Sequence, residues 1–225
     1  MNNNKKSKDS RRQEIEFRAL ESEGQALLDR EIVETFLSKV HDNEEARIIA
    51  KRLIDNFGMR GILGQEIDDL RIAEGVNDST VAIILCLREA SKRASKEELK
   101  KGPVMDNLET IVKYLIVSIG YSDKEKVKIL YLDHKGCLKR EEVFTGTVDQ
   151  APVYIKKIAK KALLQDATSI IMAHNHTEGS AEPSDKDKAA TKGLASACST
   201  VDIRLFDHII IAGEHYYSFR EKGLL

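Results

Sequence analysis

The chain has no run of apolar residues approaching the ~20 needed to cross a bilayer as a helix. Cysteine is scarce and scattered. Cys86, Cys137 and Cys198 form no C-x-x-C pair and leave one over, which reads as a reducing cytoplasm with each Cys a small core residue. Charge of one sign is missing too: 36 Lys and Arg stand against 37 Asp and Glu. A net charge of −1 gives no global pull toward nucleic acid or anionic lipid, so any nucleic-acid role needs a local basic face. The basic start MNNNKKSKDSRRQ has no apolar h-region and is read as a short disordered tail over residues 1–13, not a secretory signal. Two metal-enzyme signatures are also absent. There is no H-E-x-x-H for a zincin-type peptidase and no H-x-E with P-C-x-x-C for a zinc deaminase.

What is present suits a soluble globular protein. The 225 residues are 41% apolar and 32% charged, enough for one large or two modest domains with a real core. Over residues 14–94 the apolar positions recur at helical spacing. NEEARIIAKRLIDNFG opens with Asn43 as a cap and is expected to stop at Gly58. IDDLRIAEGVNDSTVAIILCLREASKRA reads as two helices joined by a turn at Glu74-Gly75-Val76-Asn77. Residues 95–106, charged and broken by Gly102-Pro103, are the expected linker. Over residues 107–225 the pattern changes. KVKILYLDHKGCLKREEVFTG alternates as a strand hairpin, and TSIIMAH and VDIRLFDHIIIAG are strands separated by helical stretches. An α+β chain is expected, all-helical first and an α/β sandwich second.

The stretch IIMAHNHTEGSAEPSDKDK (residues 170–188) carries the chemistry. His174 and His176, at i and i+2 of an extended segment, emerge on one face with Cα atoms roughly 6–7 Å apart. Both imidazoles can then meet one cation at about 2.0–2.1 Å. Asp187 can add a third ligand from the first turn of the following helix, leaving the fourth tetrahedral position open, as a hydrolytic zinc site requires. The same letters read equally well as a capping box, with Ser184 as N-cap and Asp187 at N3, beside two surface histidines. On spacing alone both readings stand. His208, in an apolar strand, reads as a satisfied core histidine, with a role behind the site as the other option.

His174-x-His176, seven residues, Ser184, two residues, Asp187 resembles the JAMM (JAB, MPN-plus) metalloprotease signature without a gap. EVFTGTVD, VYIKKIAKKALLQDATSIIMAHNH, EPSDKD and VDIRLFDHIIIA resemble the bacterial RadC family, and the similarity runs from about residue 14 to 225. The resemblance implies a helix-hairpin-helix-like domain followed by a three-layer JAMM domain of the cytidine-deaminase-like kind. It implies Zn2+ held by His174, His176 and Asp187, and Ser184 at the developing oxyanion. The general base would be Glu142, with Glu141 as the fallback. The substrate class would be a peptide or isopeptide, the place of action the cytoplasm, and no membrane is involved. The rival from another class is a DNA-associated repair or recombination protein whose metal site is structural or vestigial. A protein-interaction module is a third.

This chain departs from the family pattern in two places. Thr177-Glu178 follows the second His where relatives read Pro-Ser, which puts an acid at the rim and bears on substrate choice. In the helical half the hairpin reads Gly75-Val76-Asn77, so its second glycine is missing, and Glu74 and Asp78 would repel phosphate. From Arg88 to Lys101 there are six Lys/Arg against three acids, the basis for a weak DNA contact.

Overall fold

The computed structural model describes the backbone of residues 3–145 and 151–225, and side chains over 10–145 and 155–225. It divides into two compact units, Met1–Glu89 and Ala90–Leu225.

The first unit is helical: α1 (Asn3–Ser22), α2 (Asp29–Leu37), α3 (Asn43–Gly64), α4 (Ile67–Ile72) and the start of α5 (Asp78–Leu99). Leu37, Ala46, Leu53, Leu70 and Ile84 form its core. Two expectations are corrected here, and a third is met. The tail over 1–13 was read as disordered, yet α1 begins at Asn3. Its Lys, Arg, Gln and Glu residues are good helix formers, and Arg11 grips Glu34 of α2 through two bonds of 3.0 Å. The cap of α3 is Asp42, not Asn43. Its carboxylate accepts from the N–H groups of Glu44 and Glu45. The stop expected at Gly58 is present: at φ 65° and ψ 173° it leaves helical geometry, so the run labelled α3 is two helices that meet at a kink there, the second going on to Gly64. The hairpin between α4 and α5 does form without its second glycine. Gly75 takes φ 89°, and Asn77 accepts the Thr80 N–H at 3.0 Å to start α5. The stretch 95–106, expected as the linker, carries regular structure. α5 runs through it to Leu99, and a 3-10 turn follows at Val104–Asp106.

The second unit continues with α6 (Leu108–Leu115) and a π-helical turn (Ile116–Gly120). The remaining elements are β1 (Lys126–Leu132), β2 (Leu138–Thr145), α7 (Ala151–Leu164), β3 (Ser169–Asn175), α8 (Asp185–Ser199), β4 (Arg204–Ala212) and β5 (His215–Ser218). The strands form one sheet in the order β2-β1-β3-β4-β5, antiparallel except for the β3/β4 pair. β3 is buried along its whole length, so it reads as a continuous apolar run and not as an alternation. Leu115, Leu130, Leu132, Ile171 and Ile209 build a core on one face of the sheet with α6. Ile129, Ile158, Met172, Leu194 and Leu205 build the other with α7 and α8. The expected α+β class, a helical part followed by a three-layer sheet domain, is what the structure has. Of the cysteines only Cys198 is buried; Cys86 is exposed and Cys137 half-buried, against the expectation for all three. Among the described residues no helix is long and apolar enough to cross a membrane.

Candidate metal centre

β3 ends in the site. His174 is paired in register with Val127 on β1 and Ile210 on β4, so its ring direction is fixed by two neighbouring strands. The chain then leaves the sheet, with the His176 N–H donating to the Ile211 carbonyl at 2.8 Å. α8 brings in the third residue, and here the two readings of Ser184-x-x-Asp187 merge. The capping box is real: the Asp187 N–H donates to Ser184 Oγ at 3.2 Å and the Ser184 N–H donates to Asp187 Oδ2 at 2.8 Å. The Ser184 hydroxyl also donates to Oδ2 at 2.6 Å. Asp187 Oδ1 is thereby left facing His174 Nε2 at 3.1 Å.

His174, His176 and Asp187 could hold a metal ion; one ligand atom from each lies within 4.8 Å of the others. The closest approaches are tighter. His174 Nε2 and His176 Nε2 are 3.0 Å apart, and His176 Nε2 is 3.5 Å from Asp187 Oδ2. Four ligands at 2.0–2.1 Å in a tetrahedron are separated by about 3.3 Å; the edge between the two histidine nitrogens is close to that, while the histidines meet different oxygens of Asp187, so the carboxylate closes the triangle with both oxygens rather than with one. The proton positions fit as well. His176 Nδ1 lies 2.8 Å from the Ser180 carbonyl, which can only accept, so Nδ1 carries the proton and Nε2 presents its lone pair. Burial alone would raise the pKa of Asp187. The close contact with His174 and the hydrogen bonds from Ser184 override it and hold the carboxyl well below the usual carboxylate range.

Behind His174 lies a second row. His174 Nδ1 is 2.8 Å from His208 Nε2, and His208 Nδ1 is 2.6 Å from Thr191 Oγ1. His208 is fully buried, stacked on Phe219 with centroids 4.7 Å apart. Burial, reinforced by the neighbouring His174, pushes its pKa well below the ordinary histidine value. His208 is thus a buried core histidine that also stands directly behind His174.

The cleft over the three donors is lined by Glu125, Thr177, Glu178, Glu182, Ser184 and Lys186. The expected base, Glu142, does not line it. Glu142 lies on β2 opposite Ile129, where its carboxylate pairs with Lys161 and accepts from the Tyr131 hydroxyl at 3.1 Å. Burial, then the Glu142 carboxylate, push the Tyr131 phenol upward. The fallback, Glu141, points to the other face and meets Tyr114, Lys96 and Lys128. Ser184 does line the cleft, but its hydroxyl proton is directed to Asp187 and not to the space a substrate oxygen would occupy.

Sequence reasoning passed over three residues. Asn175, between the two histidines, is fully buried: its Oδ1 accepts from the Lys126 N–H at 2.8 Å, and its Nδ2 donates to the carbonyls of Ser122 and Lys124 at 3.2 and 3.1 Å. These bonds fasten the segment before β1 to the end of β3, and so bring Glu125 to the cleft. Thr191 stands four residues after Asp187, a helical spacing visible in the sequence. Glu125 has no local signal, being fifty residues upstream of Asn175 in an ordinary charged loop.

Residues 105–224 match the model of the RadC-like JAB domain family. A UPF0758 protein of Variovorax paradoxus is 35% identical over 203 residues, covering 89% of this chain and 90% of its own length. The corresponding figures for a UPF0758 protein of Nitrosomonas europaea are 33% over 208 residues, with 92% and 93% covered. One from Nitrosococcus oceani is 34% identical over 202 residues, covering 89% and 90%. The chain belongs to the RadC-like JAB domain family.

Proposed function

We propose that this protein is a zinc-dependent hydrolase of the JAMM type, cleaving a peptide or isopeptide bond. The observation that carries the reading is the convergence of His174 Nε2, His176 Nε2 and an Asp187 carboxylate at near-tetrahedral spacing under an open cleft. Zinc bound there would supply Lewis acidity, polarising a carbonyl and lowering the pKa of water toward ~7. The protein's own residues supply the rest. Glu125 replaces Glu142 as the general base, because it is the carboxylate from outside the HNH…SDKD segment that lines the cleft. It takes the proton of the attacking water and passes it to the leaving amine. Ser184 orients Asp187. If its hydroxyl turns to a developing oxyanion, Asp187 Oδ2 keeps the Ser184 N–H bond and the ligand stays in place.

Two measurements test the reading. Protein purified without chelators should carry about one zinc; finding none removes the basis of the reading. Glu125→Gln should keep that zinc and lose turnover of a peptide or isopeptide library, and a fully active Glu125→Gln would dismiss Glu125 as base. The isolated cysteines support a cytoplasmic setting. A weak DNA contact is a separate proposal resting on the basic run from Arg88 to Lys101, since Arg52 and Arg71 pair with Glu74 and Asp78 at the hairpin. It requires salt-dependent affinity that falls when Lys92 and Arg93 are neutralised.

A further inference from the structure

The hydrogen-bonded row His174–His208–Thr191 ends on the main chain of the third ligand: the Thr191 hydroxyl lies 2.6 Å from the Asp187 carbonyl oxygen. A carbonyl only accepts, a hydroxyl donates once, and a neutral imidazole carries one N–H. These rules leave two consistent proton orders. In the first, the Thr191 hydroxyl donates to the Asp187 carbonyl, His208 Nδ1–H donates to Thr191, and His174 Nδ1–H donates to His208 Nε2. His174 Nε2 is then bare and faces His176 Nε2 and Asp187 Oδ1. In the second, Thr191 donates to His208 Nδ1, His208 Nε2–H donates to His174 Nδ1, and His174 Nε2–H donates to Asp187. Both orders hold the same three protons, so interconversion takes up and releases none. The second leaves the 2.6 Å contact between Thr191 Oγ1 and the Asp187 carbonyl without a proton, two oxygens facing each other in a buried place. The first satisfies every contact in the row.

We propose that His208, held by Thr191, is a positioning residue that fixes His174 as its Nδ1–H tautomer and so keeps the Nε2 lone pair directed at the metal position. This rests on the metal reading above, and goes beyond it by giving His208 and Thr191 a role in affinity. Both ends of the row act on the ligands: one sets the tautomer of His174, the other grips the main chain of Asp187. Partners of this kind behind a ligand typically change metal affinity 10–100-fold.

The test uses the full chain and zinc alone, with affinity measured by competition against a chromophoric chelator and the His174 tautomer read from the ring nitrogen shifts of 15N-histidine-labelled protein. Thr191→Val keeps the shape and removes the hydroxyl. It should weaken zinc binding 10–100-fold and leave His174 without a single Nδ1–H state. Thr191→Ser, which restores the hydroxyl, should restore both readings. His208→Phe keeps a ring to stack on Phe219 and should weaken binding by a similar factor; if it does not fold, the Thr191 pair still decides. Wild-type affinity in Thr191→Val, with His174 still Nδ1–H, overturns the proposal while the metal site stands. A wild-type chain that binds no zinc overturns the metal reading itself.

Discussion

Two buried polar clusters sit on opposite faces of the same sheet, and they differ in how they are completed. On the α6 face, Lys128 is fully buried. It donates to Ser118 Oγ at 2.7 Å, pairs with Glu141 at 3.3 Å, and lies 4.8 Å above the Tyr114 ring. Glu141 also accepts from the Tyr114 hydroxyl and pairs with Lys96 at 3.0 Å. Each charged group there meets an opposite charge. On the α7/α8 face, the donors of His176, Ser184 and Thr191 are directed at protein acceptors, and three lone-pair atoms are left converging on one another. A closed network holds a sheet together; acceptors gathered around a common point call for a cation.

Breaking either cluster should have different consequences, and the largest concerns the metal. Asp187→Ala leaves two imidazoles and no anionic ligand, and also removes the reciprocal cap of α8. Zinc retained through purification should disappear, as measured by metal analysis, and the helix should lose about 1 kcal/mol from the cap. Next comes Glu141→Gln. It deprives a fully buried Lys128 of its counter-charge, so urea unfolding should show a loss of about 3–5 kcal/mol. Zinc affinity should not move, because the two clusters lie on separate faces. A metal-binding defect in this variant would show that they are coupled.

The pH dependence separates the clusters again. Burial pulls Lys128 down to about 8, only partly offset by Glu141. Its folded value lies below the ordinary 10.5. Between those values the unfolded chain binds more protons than the folded one, so stability should rise with pH across that window. Below about 8 the full penalty of a buried ammonium applies. The rise should come to about 2 kcal/mol, judged by the difference in unfolding free energy between wild type and Lys128→Met from pH 7.5 to 10. A flat difference would mean the ammonium is not penalised by burial.

Much of this was legible in the sequence, for local reasons. The alternation of β1 and β2, the apolar run of β3, and the spacing of His174, His176, Ser184 and Asp187 all follow from periods of 2 and 3.6 residues. What failed was long-range. Glu125 reaches the cleft only because Asn175 fastens the preceding loop, a contact across 49 residues. Thr191 and His208 meet because α8 returns the chain to lay β4 beside β3, across 17 residues. The tail was misjudged for another reason. Composition alone does not contain the Glu34 that Arg11 finds on α2.

Neighbouring residues of β2 give the finest comparison. Glu141 and Glu142 point to opposite faces, and sequence reasoning could not choose between them as base. Glu141 belongs to the closed cluster. Glu142 is a third case: its partner Lys161 keeps 43% of its side chain exposed, and exposed pairs of this kind contribute ~0–1 kcal/mol. Glu142→Gln should therefore lower stability by less than about 1 kcal/mol, a shift of a few degrees at most in a melting curve. It should leave zinc content and turnover at wild-type levels, whereas Glu125→Gln keeps the zinc and loses turnover. If instead Glu142→Gln abolishes turnover with zinc in place, the carboxylate must leave Lys161 and Tyr131 during the reaction. β2, which among the described residues is an edge strand paired with β1 alone, would then be a moving part of the site.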